Sequence, residues 1–289
     1  IERVEASRNF ANKVWNASRF VLLNIEGLDE VVLENLKPED EWILTKFERT
    51  LEETRKFMDK YEFNNAGSAI YNFTWTMFCD NYIEMAKYTI DSKTTKSVLC
   101  YVLDGILKLL HPFMPYVTEE IYGMLPVKDS ESIMISKYPR HNKKLVFEDV
   151  EDIVDDEIEF IKNFRNIKAE NNISKEFKVM FDTSDDNDLI IKMLKLKDNV
   201  VKDNLGIKAY KVFSKKVRAT IFFEKVETEA DKALKLAQIE MLRKSIQRRK
   251  NLLSNEGYVT KAPQNIVEQE RKNLALEEEK LKNLELDNK

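Results

Sequence analysis

Leu99, Val102, Leu103, Ile106, Leu107 and Leu110 recur at i, i+3, i+4, i+7, i+8 and i+11. Only an α-helix puts such a set on one face, and that face has to be buried against other elements. His111-Pro112 ends the run, because a residue before proline avoids the α region. Pro115 then suits the first turn of another short helix. The same period appears upstream. Phe10, Val14, Ala17 and Val21 share a face of a helix followed by Gly27, and Ile43, Phe47, Leu51 and Met58 share a face of one running from about Pro38 to Tyr61. Asn64 or Asn65 can cap a further helix reaching about Ile90. Residues 1–126 are therefore expected to form a helical bundle. Six glycines and six prolines among 289 residues, with 34 % charged, fit long helices better than a turn-rich β fold.

Residues 127–228 read as a small α+β unit. Ile133-Met134-Ile135 is a short apolar run ending at Tyr138-Pro139. The stretch 148–159 holds eight acidic residues and no basic one, and reads as a solvated helix face continuing to about Glu170. Strand patterns follow at Phe177 to Phe181, Tyr210 to Phe213 and Val217 to Phe223, with a helical pattern from Leu189 to Val201 between them.

Residues 229–289 turn helical again and lose aromatics. Ile239, Leu242, Ile246 and Leu253 recur at coiled-coil spacing, and Val267, Leu274 and Leu281 lie seven apart. Ser254, Asn255, Gly257 and Pro263 interrupt the pattern between them. Two heptad helices joined this way predict an antiparallel hairpin, each arm of about 25 residues and roughly 35–40 Å long. The fold class is thus mainly α: a bundle, a small α+β unit and a coiled-coil arm.

Several chemistries lack their residues. His111 and His141 are the only histidines, the glycines are too scattered for a phosphate loop, and no GxSxG occurs. Cys79 and Cys100 form no CxxC pair, so neither a disulfide framework nor a zinc site is expected. The aromatic set Tyr71, Phe73, Trp75, Phe78 and Tyr82 reads as core. No apolar run reaches the ~18–20 residues of a membrane span, and nothing at the N-terminus reads as a signal peptide. A start inside a charged helical pattern suggests a piece of a longer protein, and a reducing cytoplasm fits.

Two surfaces suit nucleic acid. Arg8, Asn12, Asn16 and Arg19 share a helix face, with Trp15 beside them. Guanidinium groups pair with phosphates, amides read base edges and aromatic rings stack on unpaired bases. An ordinary solvated face with Trp15 in the core is the other reading. The first heptad helix carries Lys232, Lys235, Arg243, Lys244, Arg248, Arg249 and Lys250 against Asp231 and Glu240. Such a stripe suits a phosphate backbone. Alternatively, Glu268, Glu270, Glu277, Glu278 and Glu279 of the second helix answer those charges across the hairpin. The net charge of −4 excludes neither reading, since patches matter more than totals.

Continuous stretches of the chain resemble one family. Residues Arg8 to Phe20 (RNFANKVWNASRF) resemble the helix that opens the anticodon-binding domain of valyl-type class I aminoacyl-tRNA synthetases. Asp40-Glu41-Trp42-Ile43-Leu44 looks like the start of its second helix, and Ala66 to Lys87 like its third. Leu110 to Tyr122 (LHPFMPYVTEEIY) is similar to the family's "LHPFMPFITEELW", and Phe164 to Glu170 to its "IRNIRAE" helix. Leu253 to Pro263 (LSNEGYVTKAP) resembles the tip of the valyl enzymes' coiled coil, where isoleucyl enzymes often carry a cysteine zinc module. Asn81 and Tyr122 depart from the family pattern, which usually has Trp at both places.

The resemblance implies a function. Arg8, Asn12, Lys13, Trp15, Asn16 and Arg19 would meet the anticodon region of tRNA. Lys235, Arg243, Lys244, Arg248, Arg249, Lys250 and Lys261 would meet its backbone at the outer corner. The partner would be tRNA(Val), not DNA or a membrane, and the protein a monomer. The His-x-Gly-His and Lys-Met-Ser-Lys-Ser signatures of class I catalysis are absent from this sequence. The chain is therefore expected to need no cofactor and to perform no aminoacylation alone; ATP and Mg²⁺ would belong to the parent enzyme. An isoleucyl- or leucyl-type anticodon domain and a non-enzymatic coiled-coil adaptor are the alternatives.

Overall fold

Each amphipathic period becomes a helix that buries its apolar stripe. In a computed structural model, the described residues are 2–173, 176–182, 187–205, 209–223, 229–254 and 264–286. The bundle helices are α1 (Glu2–Asn24), α2 (Pro38–Asp59), α3 (Phe63–Asn72), α4 (Ile83–Ala86), α5 (Lys93–Leu110) and α6 (Pro115–Gly123). The chain leaves α1 through Gly27 at φ +76°, a conformation that favours glycine. Leu99, Val102, Leu103, Ile106, Leu107 and Leu110 of α5 are all at most 3 % exposed, as their spacing requires.

Between α3 and α4 the backbone widens into a π-helix over Phe73–Tyr82. There the Asn81 side-chain Nδ2 donates to the Thr76 carbonyl at 2.8 Å, five residues back. The helical run stops at Ala86 rather than near Ile90. The amides of Tyr88 and Thr89 bond to carbonyls three residues back, on Met85 and Ala86, and tighten the chain into turns. Phe73, Phe78 and Tyr82 are core, but Tyr71 is 42 % exposed and Trp75 only half-buried, against the reading of the whole set as core.

After short 3₁₀ turns at Ile133–Ile135 and Lys143–Leu145, helix α7 (Glu148–Glu170) runs beside α2. Its acidic segment is not simply a solvated face. Glu151 and Asp156 are buried. Lys46 Nζ lies 2.8 Å from Glu151 and 2.6 Å from Asp155, Arg49 Nε donates to Glu151 at 2.7 Å, and Trp42 Nε1 donates to Asp155 at 2.9 Å. Asp156 accepts from the Ser214 hydroxyl and from the amides of Lys215 and Lys216, capping the turn between two strands. The carboxylates therefore bind α7 to the bundle on one side and to the sheet on the other.

The strands β1 (Phe177–Phe181), β2 (Ala209–Phe213) and β3 (Arg218–Phe223) form an antiparallel sheet in the order β1-β3-β2. Val179 pairs with Ile221, and Tyr210 pairs with Ile221 on its other side. The helical pattern from Leu189 to Val201 is cut short: α8 covers only Asp188–Met193. Lys195 at φ +55° breaks it, and Val200 instead bridges Val179 on the free edge of β1. β-branched residues fit that extended pairing better than a helix. One continuous set of buried apolar side chains runs from Phe10 of α1 to Phe223 of β3.

The chain divides into two units, Ile1–Phe223 and Glu224–Lys289. The second pairs α9 (Glu229–Leu253) with α10 (Gln264–Leu286). Ser245 and Arg249 both reach Glu277, and Arg249 also reaches Glu270, so the two helices run antiparallel. Ile239, Ile246 and Val267 are buried along the seam, and Leu242, Leu253, Leu274 and Leu281 are half-buried. The mainly α fold class holds, with its one small sheet. Among the described residues no helix is long and apolar enough to cross a membrane.

Candidate nucleic-acid interface

Helix α1 has two unlike faces. Phe10, Val14 and Val21, with Ile25 just past its end, are at most 7 % exposed and join the core. Arg8, Asn12, Trp15, Asn16 and Arg19 are exposed. Trp15 is 43 % exposed, so it is not a core tryptophan. The structure thus brings five of the six α1 candidates to the outer side of one helix.

Lys13 behaves differently. Its Nζ lies 2.6 Å from Asp80 and 5.2 Å from the centre of the Trp75 ring. The hydrogen bond to Asp80 pushes its pKa above the usual lysine value, with burial opposing. Lys13 therefore ties α1 to the π-helical segment, and its charge is already answered.

That segment adds what the sequence reading placed in the core. The rings of Tyr71 and Trp75 stack at 5.6 Å, with Phe10 4.6 Å from Tyr71. They form an aromatic ledge beside α1, half open to solvent. Periodicity alone could not separate them from Phe73 and Phe78. Further along α1, Trp15, Arg19, Leu23 and Glu26 face Ile121 and Met124 across a shallow hollow of about 360 Å³. The Ser18 hydroxyl beneath it is buried and has no hydrogen-bond partner among the described residues. A guanidinium, an indole and an apolar floor can take a splayed base with its phosphate.

On the arm, the basic stripe is split between two roles. Arg249 bonds Glu270 and, at 3.1 Å, Glu277; its side chain is only 22 % exposed. Lys250 pairs with Glu278 at 2.7 Å across the hairpin, and Lys244 with Glu240 at 2.8 Å within α9. Arg248 is exposed and, among the described residues, makes no ion pair; Arg243 is exposed too. The side chain of Lys235 and the whole of Lys261, with the rest of the tip 255–263, lie outside the described residues.

Cys79 and Cys100 are buried free thiols, pushed up by burial to about 12 and about 11, which suits packing rather than reactivity. Tyr122, where tryptophan is usual, is fully buried and donates to Asp129 at 2.8 Å.

Two family models match the sequence: an anticodon-binding domain of tRNA ligase over residues 40–181, and a valyl tRNA synthetase tRNA binding arm over residues 226–287. The valine–tRNA ligase of Thermotoga maritima is 36 % identical across 97 % of this chain. The chain belongs to the valyl-tRNA synthetase family. The ligases of Oceanobacillus iheyensis and Bacillus subtilis are also 36 % identical, over 94 % and 93 % of the chain. The chain spans about a third of these relatives' length, 33–34 %. The synthetase arm model covers both α9 and α10, and the anticodon-domain model takes in the bundle from α2 onward through β1.

Proposed function

We propose that this chain holds tRNA(Val) for an enzyme that joins valine to it. The exposed row of Arg8, Asn12, Trp15 and Arg19 on α1 carries the proposal, because the opposite face, with Phe10, Val14 and Val21, is committed to the core. In this reading the row meets the anticodon loop, whose unstacked bases offer rings to Trp15 and edges to Asn12 and Asn16. The arm holds the backbone through Arg243 and Arg248, with Lys235 and Lys261 as further candidates. Contacts remote from the reacting ester then orient the acceptor end at the catalytic site. ATP and Mg²⁺ would act in that catalytic part, and this chain would bind RNA without either. We propose further that it works as a monomer in the cytoplasm, on tRNA rather than DNA or membrane.

Electrophoretic shift with single purified tRNAs tests the reading. Tighter binding of tRNA(Val) than of isoleucine or leucine tRNA is expected. Preference for either of those would favour the isoleucyl- or leucyl-type alternative. Failure to bind any tRNA would leave the adaptor reading.

A further inference from the structure

On a side of the bundle that shares no residue with the α1 surface, α2, α5 and the segment 137–140 enclose a pocket of about 640 Å³. Its walls include the rings of Phe47, Tyr101 and Tyr138, and its cations are Arg55, Lys108, Lys137 and Arg140. We propose that this pocket binds a nucleoside phosphate, with the phosphate on Arg55, Lys137 and Arg140 and the base against Tyr138.

Charge is the first argument. The whole chain is net negative, at −4, yet the pocket gathers four cations and one carboxylate, Asp104. Lys108 is spoken for, 2.7 Å from Asp104 and 3.1 Å from Asp129. Lys137 Nζ and the Arg140 guanidinium make no ion pair or side-chain hydrogen bond among the described residues. Arg55 has only Asp59, at 4.0 Å and largely exposed. Convergent unpaired cations repel one another, so the arrangement gains most from an anion with several acceptor oxygens.

Shape is the second. Tyr138 is 41 % exposed, so part of its side chain is open to a stacking partner. Asp104 Oδ2 accepts from Lys108, while its Oδ1 is buried and has no partner among the described residues. An anion that carries a flat ring satisfies the cations and the Tyr138 ring together; inorganic phosphate satisfies only the cations.

Support is the third. The segment carrying Lys137 and Arg140 is fixed at both ends. Asp129 accepts from the Lys137 amide at 3.2 Å, and the fully buried Glu48 accepts from the Asn142 amide at 2.6 Å, with His141 Nδ1 3.1 Å away. Tyr101 reaches the same Glu48 at 3.4 Å. The cations are therefore presented from anchored backbone, which lowers the ordering cost of binding.

The nucleoside phosphate has two sources, a residue of the bound RNA or a free mononucleotide; the first rests on the tRNA reading above. The test titrates the full chain with tRNA at several salt concentrations, and separately with AMP by calorimetry, in wild type, K137A/R140A and Y138A. The substituted side chains are surface-exposed, and Arg55→Ala on α2 gives an independent variant of the same pocket. If RNA is the source, K137A/R140A lowers tRNA affinity about tenfold and the salt slope by roughly two. Y138A then weakens binding about tenfold with the slope kept, because stacking releases no counterions. If the ligand is free, AMP binding is lost in all three variants while tRNA binding is unmoved. Should wild type bind no tRNA, the tRNA reading fails and the AMP titration alone decides the pocket. Unchanged tRNA affinity and slope in every variant, together with AMP binding that is absent or insensitive to them, would overturn the proposal.

Discussion

The Tyr82 hydroxyl donates to Asp40 Oδ1 at 2.6 Å, joining residues 42 apart in the sequence, and both side chains are completely buried. Asp40 Oδ2 also accepts from the Lys37 amide at 3.3 Å, at the start of α2. Burial pushes the Asp40 carboxyl above its ordinary value against both hydrogen bonds, and pushes the Tyr82 phenol well above its own. The pair locks the π-helical segment to the first turn of α2.

Tyr82→Phe removes the donor and leaves a buried carboxylate oxygen unpaired. Stability should fall by about 1–3 kcal/mol, read as a lower urea midpoint with the slope unchanged. The loss should shrink in acid: as the Asp40 carboxyl takes up a proton, at a pH above its ordinary range, the unpaired charge disappears. A loss that stays constant with pH would separate the two groups energetically.

Asp129 gives the opposite pH signature. Burial opposes its ionisation, but the Tyr122 hydroxyl, the Lys108 ammonium and the Lys137 amide hold its carboxyl down to about 2. A depressed folded value stabilises the fold above the ordinary carboxylate range of about 3.9. That contribution is lost as pH falls through about 2. The stability gap between wild type and Asp129→Asn should therefore be full above about pH 5 and close progressively in acid. Urea unfolding at half-unit pH intervals checks this.

Gly105 stands where a side chain has no room. A Cβ there would lie 2.0 Å from the Phe47 ring. Gly105→Ala should cost about 1–3 kcal/mol through overpacking, despite alanine's better helix propensity. Adding Phe47→Leu should recover part of the loss. If the double variant is no better than G105A in its melting temperature, the clash with Phe47 is not the cause.

What was legible in the sequence was what is local. The stripe from Leu99 to Leu110 needs only the helical period, and all six residues are buried as that period demands. The heptads at Ile239, Ile246 and Val267 were legible for the same reason. Partners distant in sequence were not. Nothing near Lys13 announces Asp80, 67 residues on, and nothing near Asp155 announces Trp42, 113 residues back. The acidic run from 148 to 159 therefore read as solvated, although it is the seam of α7 with α2 and the sheet. Residues 194–201 failed differently: an apolar pattern too short to distinguish helix from strand was decided by the open edge of β1.

On α1, Arg19→Ala and Trp15→Ala should each weaken tRNA binding about tenfold, as expected for a phosphate contact and a stacked ring. Lys56→Ala, whose ammonium already pairs with Glu52 at 2.9 Å, is the matched control and should change little. Lys13→Ala should lower thermal stability through its lost contact with Asp80, with a smaller effect on RNA. Titrations with one tRNA under fixed salt compare the four variants, and equal losses at Arg19 and Lys56 would count against the α1 surface.

Arg248 and Arg249 are neighbours on α9 with opposite surroundings, and they separate the two roles of the basic stripe. Arg249 sits against Glu270 and Glu277 of α10 with a 22 % exposed side chain. Its removal leaves two carboxylates of α10 without their cation on α9, so the arm should loosen by on the order of 1 kcal/mol. Amide exchange along α9 and α10 should quicken accordingly, and Glu277→Gln should relieve part of the effect in a double-mutant cycle. Arg248 faces solvent and makes no ion pair among the described residues. Its removal should leave exchange unchanged and lower the salt slope of tRNA binding by roughly one, with similar losses for tRNAs of different anticodon, because phosphates carry no sequence information. The heptad residues remain in both variants, so neither should unfold the arm. An arm whose arginines serve only to bind its own two helices gives a different pattern: R249A shifts exchange, and R248A shifts nothing. A salt series on the two single variants, run beside their exchange profiles, distinguishes these outcomes.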